Sequence, residues 1–210
     1  MTIEKRRLAI LISGRGSNME ALVRAADAPD YPAGVALVLA NKADAAGLQF
    51  ASARGIEALA LPHRDFAARE DFDAALHREL SARRIDAIAL AGFMRILSPG
   101  FILQWPGRIV NIHPSLLPKY PGLHTHRRAI EAGDAEAGCT VHIVTETLDA
   151  GPALAQARVP VLAGDTADSL AARVLVQEHR IYAPALAAHI RALEPKLCAD
   201  RVNRGDSQDC

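Results

Sequence analysis

Apolar residues in this chain cluster in short, nearly continuous runs at 8–12, 35–40, 56–61, 85–90 and 109–112. Continuous rather than alternating runs suit strands buried on both faces, as in the middle of a parallel sheet. Between them lie helical stretches at about 17–28, 44–54, 69–83 and 98–104; in the third, Phe72, Leu76 and Leu80 recur at four-residue intervals and form one apolar face. Strand and helix in alternation predict an α/β fold, an open and mostly parallel twisted sheet with helices on both faces and right-handed crossovers. The pattern changes after residue 112. Five of the twelve prolines fall within 99–121, so 114–122 is a loop of prescribed shape rather than a helix. A helix at about 124–132, strands at about 138–145 and 153–161, and a long helix at about 166–193 follow. The strand pair around Asp149 is expected to be antiparallel, which makes the sheet mixed. Pro184 is expected to kink or split the last helix. Residues 1–194 read as one domain, with halves at about 1–105 and 106–194, and 195–210 read as a polar tail.

Composition narrows the function classes. Half of the 210 residues are hydrophobic, and 24 basic residues balance 24 acidic ones. A neutral chain gives no support for non-specific nucleic-acid binding. No apolar run approaches the roughly 20 residues that span a bilayer, and the run at 8–12 is too short for a secretory signal, so the cytoplasm is the expected location. Cys139, Cys198 and Cys210 are too scattered for a disulfide framework or a zinc ribbon. No His-Glu-x-x-His or comparable cluster is present, so no metal is expected. No Gly-x-Ser-x-Gly elbow is present, which disfavours a covalent acyl-enzyme.

The first predicted strand runs into Ser13-Gly14-Arg15-Gly16-Ser17-Asn18. Glycines allow a tight turn and close approach of a ligand, and a helix N-terminus offers unpaired N–H groups to an anion. There is no Gly-Lys-Ser/Thr and no third glycine of a dinucleotide fingerprint. Two readings stand: a phosphate or carboxylate cradle, or a plain turn with Ser17 or Asn18 as helix cap.

The fifth strand carries Asn111 and His113 near its end. Residues two apart on a strand face the same side, and the C-terminal edge of a parallel sheet is where such folds bind ligands. An asparagine amide can donate to a developing oxyanion and a histidine can move a proton near neutral pH. The pair suits attack of an amine or water on a carbonyl; the plainer alternative is a turn cap and a satisfied core histidine. Asp149, between the two C-terminal strands, is the acidic candidate to orient the histidine or hold a water, or else an Asx-turn residue.

These residues also carry a resemblance. The motifs are Ser13-Gly14-x-Gly16-Ser17-Asn18, the run 91–97 (Ala-Gly-Phe-Met-Arg-Ile-Leu), the run 111–126 from Asn111 to His126, Leu148-Asp149-x-Gly151-Pro152, and Gln177-Glu178-His179. Together they span about 7–193, and the run 111–126 is the most specific. On them the chain resembles the folate-dependent glycinamide ribonucleotide formyltransferases of purine synthesis. The resemblance implies transfer of a formyl group from the co-substrate 10-formyltetrahydrofolate to the amine of glycinamide ribonucleotide, without a metal, by a monomer or homodimer. It implies that Asn111 polarises the formyl oxygen, that His113 assists proton transfer and stabilises charge, and that Asp149 holds the histidine and a proton-relaying water.

The resemblance further assigns Gly16, Ser17, Asn18 and Lys119 to the substrate phosphate and Glu178 to the ribose hydroxyls. Met94, Arg95, Ile96, Leu97 and Ile102 match the wall of the pteridine pocket, Arg69 a basic residue near the benzoylglutamate, and Thr145 and Glu146 the loop that closes the pocket with Asn111 and Asp149. Arg15, Ala150 and Trp105 depart from the commonest pattern. The rival enzyme readings are methionyl-tRNA formyltransferase and formyltetrahydrofolate hydrolase, each of which carries an extra domain. The non-enzyme rival, a nucleotide-binding module, would not need Asn111, His113 and Asp149 together.

Overall fold

The computed structural model describes residues 5–203, with side chains to residue 193. In chain order the elements are β1 (Arg6–Ile12), α1 (Ser17–Ala26), β2 (Ala33–Ala40), α2 (Ala46–Ala53), β3 (Ala58–Ala60), α3 (Arg69–Ala82), β4 (Ala87–Leu90), α4 (Pro99–Gln104) and β5 (Ile109–His113). They continue with α5 (Thr125–Glu131), β6 (Glu136–Ile143), β7 (Ala153–Pro160) and α6 (Ala167–Asn203). The strands form one sheet in the order β3-β2-β1-β4-β5-β6-β7. β1 to β5 run parallel, and β6 and β7 add antiparallel to that edge, so the expected mixed sheet is present.

The continuous apolar runs are continuous because both faces are covered. Leu8, Ile10 and Ile12 pack on one side with Met19 and Leu22 of α1 and Leu186 and Ile190 of α6. Ala9 and Leu11 turn to the other side, with Phe72, Leu76 and Leu80 of α3 and Phe101 of α4. That is the two-residue period of a strand serving two cores. β1 lies between β2 and β4, so chain direction along the sheet reverses there, and the crevice beyond the C-terminal ends of β1 and β4 is the switch point of an open α/β sheet.

Two expectations about α6 are corrected. Pro184 does not split it; the helix runs unbroken from Ala167 to Asn203. Proline removes one backbone hydrogen bond, but Tyr182, Ala183, Leu186 and Ala187 are buried on either side of it and hold the turns to the sheet. The helix also extends into the segment read as a polar tail; residues 204–210 lie outside the described residues. Among the described residues no helix is long and apolar enough to cross a membrane.

The proline-rich loop between β5 and α5 is tied down from below. Thr140 of β6 donates its hydroxyl to the Ser115 carbonyl at 2.7 Å and accepts from the Leu117 N–H at 3.1 Å. Gln156 of β7 donates to the Leu117 carbonyl at 2.7 Å. Tyr120, Gly122 and His124 take positive φ values of 55°, 77° and 59°.

Candidate active site

Three segments meet at the switch point. After β1, Ser13 is buried; its hydroxyl donates to Asn41 Oδ1 at 2.6 Å and accepts the Met94 N–H at 2.7 Å. This ties the glycine-rich turn to the loop after β4. Gly16 is left-handed, with φ 78°, and forms the N-cap of α1 without a side-chain cap. Neither Ser17 nor Asn18 caps the helix, so the plain-turn reading loses its expected device and the first-turn N–H groups have no side-chain acceptor. A Cβ at Gly16 would come within 2.9 Å of Met19 Cε.

Asn18 faces inward. Its Nδ2 donates to Glu178 Oε2 at 2.6 Å, while its Oδ1 is buried with no partner among the described residues. Two residues 160 apart in sequence, assigned to phosphate and ribose, are therefore one buried pair. Burial raises the Glu178 pKa, opposed by the bond from Asn18.

The catalytic candidates converge. Asn111 and His113 lie at the end of β5, and His113 is 6% exposed. Its Nδ1 is 3.4 Å from Asp149 Oδ2, and its Nε2 donates to the Tyr120 carbonyl at 3.0 Å. Asp149 sits in the β6–β7 connection with φ 51°, and its Oδ2 accepts the Gly122 N–H at 2.8 Å. Asn111 does not touch Asp149 directly. Between them stands His142, a residue of β6: its Nε2 is 3.1 Å from Asn111 Nδ2 and 3.6 Å from Asp149 Oδ1. The antiparallel register that sets Asn111 opposite His142 brings it there. The signal available beforehand was only a histidine in an apolar strand two positions from Thr140.

The remaining candidates fall around this centre with differing commitments. Met94 and Ile96 are 69% and 54% exposed, Leu148 is 51% exposed beside Asp149, and Leu97 and Ile102 are buried. The Arg95 guanidinium lies 4.8 Å over the Phe72 ring. Thr145 donates to the Thr147 carbonyl at 3.2 Å within the β6–β7 connection, where Glu146 is exposed. Arg69 opens α3 and is exposed. Lys119 is paired with Asp134 at 2.8 Å, so its charge is already met by a carboxylate rather than held out for a phosphate. A small cavity under the proline-rich loop is lined by Ser115, Lys119, Tyr120, His126 and Asp134 and does not include the catalytic candidates. Among the described residues no group of three or more His, Cys, Asp or Glu is arranged to hold a metal ion.

Comparison with known proteins identifies the family. A family model described as "Formyl transferase" matches residues 6–186. The phosphoribosylglycinamide formyltransferase of Escherichia coli (strain K12) is 51% identical over 175 residues, 83% of this chain and 82% of that protein. The trifunctional purine biosynthetic protein adenosine-3 of Drosophila melanogaster is 52% identical over 185 residues, 87% of this chain, which spans 14% of that longer protein. Among solved structures, phosphoribosylglycinamide formyltransferase from Brucella melitensis superposes with a TM-score of 0.85 at 55% identity, covering 89% of this chain and 96% of that one.

Proposed function

The chain belongs to the formyl transferase family, among the phosphoribosylglycinamide formyltransferases, and from that premise we propose that it transfers the formyl group of 10-formyltetrahydrofolate to the amine of glycinamide ribonucleotide. The observation that carries this reading is the convergence of Asn111, His113 and Asp149 at the switch-point end of the sheet. In the transfer, the amine nitrogen bonds to the formyl carbon and the carbonyl oxygen becomes anionic. The bond from that carbon to the donor nitrogen then breaks, and the proton lost by the amine ends on the departing nitrogen.

Each residue has a role that fits its surroundings. Asn111 offers an amide N–H to the oxygen as it gains charge. The Nε2 of His113 donates to the Tyr120 carbonyl and its Nδ1 faces the Asp149 carboxylate, so both ring nitrogens are engaged by acceptors. That favours a charge-stabilising role for His113 beside the oxyanion over a role as a base with a free lone pair. Asp149 holds His113 and is the carboxylate available to a proton-carrying water.

The Gly16, Ser17 and Asn18 turn, with uncapped N–H groups, suits the substrate phosphate. Glu178 suits the ribose hydroxyls, and Lys119 joins the phosphate only by exchanging Asp134 for it. For the folate, the exposed apolar side chains of Met94, Ile96 and Leu148 fit a planar ring better than they fit water. To the same folate site we assign Leu97, Ile102 and the Arg95 backbone as one wall, Asn111, Thr145, Glu146 and Asp149 as the other, and Arg69 as the partner of the acidic end of the donor. Ser13, Asn18, Met94 and Asn111 belong to one sheet edge, which supports a single functional domain over 1–194. The test is purified protein given both substrates, read by formylated amine and tetrahydrofolate. Stoichiometric formation of both supports the reading; folate turnover without formylated amine overturns it in favour of hydrolysis.

A further inference from the structure

Resting on the formyl-transfer reading, we propose that His142 is a positioning residue that sets the orientation of the Asn111 carboxamide. An asparagine amide has a donor end and an acceptor end of nearly equal shape, and only its partners decide which points where. Here the partner is an imidazole whose own tautomer is decided. His142 is 2% exposed, and its Nδ1 lies 3.1 Å from the Ile143 carbonyl oxygen. A carbonyl only accepts, so Nδ1 carries the hydrogen. In the neutral ring Nε2 is then a bare lone pair. It faces Asn111 Nδ2 at 3.1 Å and accepts from it. Turning the amide over would set Asn111 Oδ1 against that lone pair, two acceptors in contact.

The two histidines at this site thus have opposite characters. His113 faces two acceptors, whereas His142 meets the Ile143 carbonyl at Nδ1 and, at Nε2, the Asn111 amide at 3.1 Å with the Asp149 carboxylate farther off at 3.6 Å. Burial holds the His142 pKa below its ordinary value, opposed by the Ile143 carbonyl and Asp149 and assisted by His113. Those two charged or titratable neighbours, Asp149 at 3.6 Å and His113 across a ring-centroid separation of 6.5 Å, bound its titration. A proton gained at Nε2 would oppose an N–H to the Asn111 N–H, and the amide would turn. With His142 neutral, one Asn111 N–H is held by the strand and the second is free for the formyl oxygen.

The test pairs spectroscopy with kinetics. In protein carrying ¹⁵N-labelled histidine, with His142→Gln used to assign the signal, His142 is expected as the neutral Nδ1–H tautomer at pH 7.5. Glutamine places an acceptor where Nε2 stood and does not titrate; leucine places none. His142→Leu is expected to lose about tenfold or more in kcat, bounded by the ~100-fold or greater cost of losing an oxyanion donor, with KM for both substrates little changed. His142→Gln recovers most of that loss and lacks the acid limb contributed by His142. An Nε2–H or doubly protonated ring at pH 7.5 overturns the proposal, as does a folded His142→Leu enzyme of unchanged kcat or an equal loss in both variants with the acid limb intact. The tautomer is read without turnover, so a wild-type protein that fails to transfer formyl refutes the formyl-transfer reading separately.

Discussion

Asp149 holds the site together through charge and through an uncommon backbone shape, and the two can be separated. Its φ of 51° is tolerated by asparagine about as well as by aspartate, whereas alanine would be strained there. The amide oxygen of an asparagine at this position could still accept the Gly122 N–H. Asp149→Asn is therefore expected to keep its melting temperature within a few degrees while kcat falls by about 10²–10⁴-fold, the usual scale for losing a proton-transfer partner. Steady-state rates and a thermal melt on the same preparation check this, and a drop in stability with unchanged kcat would reverse the assignment. Glu178 makes the contrasting case. The residue is 7% exposed and burial raises its pKa, so the ionised form costs free energy in the folded chain. Glutamine keeps an acceptor for the Asn18 amide and removes that cost. Glu178→Gln is expected to melt at the same temperature or higher yet to raise KM for the amine substrate with little change in kcat, since a ribose hydroxyl loses its charged acceptor. A lower melting temperature with unchanged KM would make Glu178 structural.

At the scale of elements, the β6–β7 connection decides whether Asp149 reaches His113. A Cβ at Gly151 would collide with the Ile143 carbonyl oxygen and press on the Thr145 side chain at 3.1 Å, and the carbonyl cannot rotate away like a side chain. Gly151→Ala must displace backbone, at a cost of about 1–3 kcal/mol, and the displaced strand end carries Asp149 with it. Stability and kcat are expected to fall together. Gly100→Ala, in α4 with nothing within 4 Å of its Cβ, is expected to be neutral or to stabilise by about 0.4–1 kcal/mol. Urea midpoints of both variants check the contrast; equal effects would mean that the clash is relieved without moving the loop. The same scale shows what the chain disclosed in advance. Strands such as Arg6–Ile12 were legible because burial on two faces writes a continuous apolar run, and Asn111 with His113 because a two-residue period survives in sequence. His142 was not, because its role depends on register with a strand 31 residues away, which no local pattern encodes. The Asn18–Glu178 bond was hidden because it joins α1 to α6 across 160 residues, a packing that no local pattern encodes. Pro184 misled because its local cost is outweighed by the packing of the helix around it.

Across the whole molecule, the active-site end of the sheet buries titratable groups whose charged forms burial disfavours, and this makes stability depend on pH. Burial lowers the pKa of His126, with His113 adding to the effect, and burial likewise lowers that of His142 against the opposing Ile143 carbonyl and Asp149. In the unfolded chain both rings take up protons near histidine's ordinary value of about 6.5. Below that pH the unfolded state binds protons that the folded state refuses, so stability falls as pH falls, by at most about 1.4 kcal/mol per pH unit for each ring. The loss ends once pH passes below the depressed folded values. Glu178 acts the other way: with its pKa raised, the folded chain takes its proton first, so that group adds stability as pH falls through the raised value toward 4.5. With these two rings and His179, whose pKa burial also lowers, opposed by one carboxyl, the melting temperature is expected to decline between pH 7.5 and 5.5. His142→Gln is expected to make that decline shallower, because glutamine takes up no proton in either state. Scanning calorimetry across that range on both proteins measures it. A decline equally steep in His142→Gln would mean that the His142 ring takes up its proton in the folded chain as readily as in the unfolded one, so that acid alone would leave Asn111 without the acceptor that orients it.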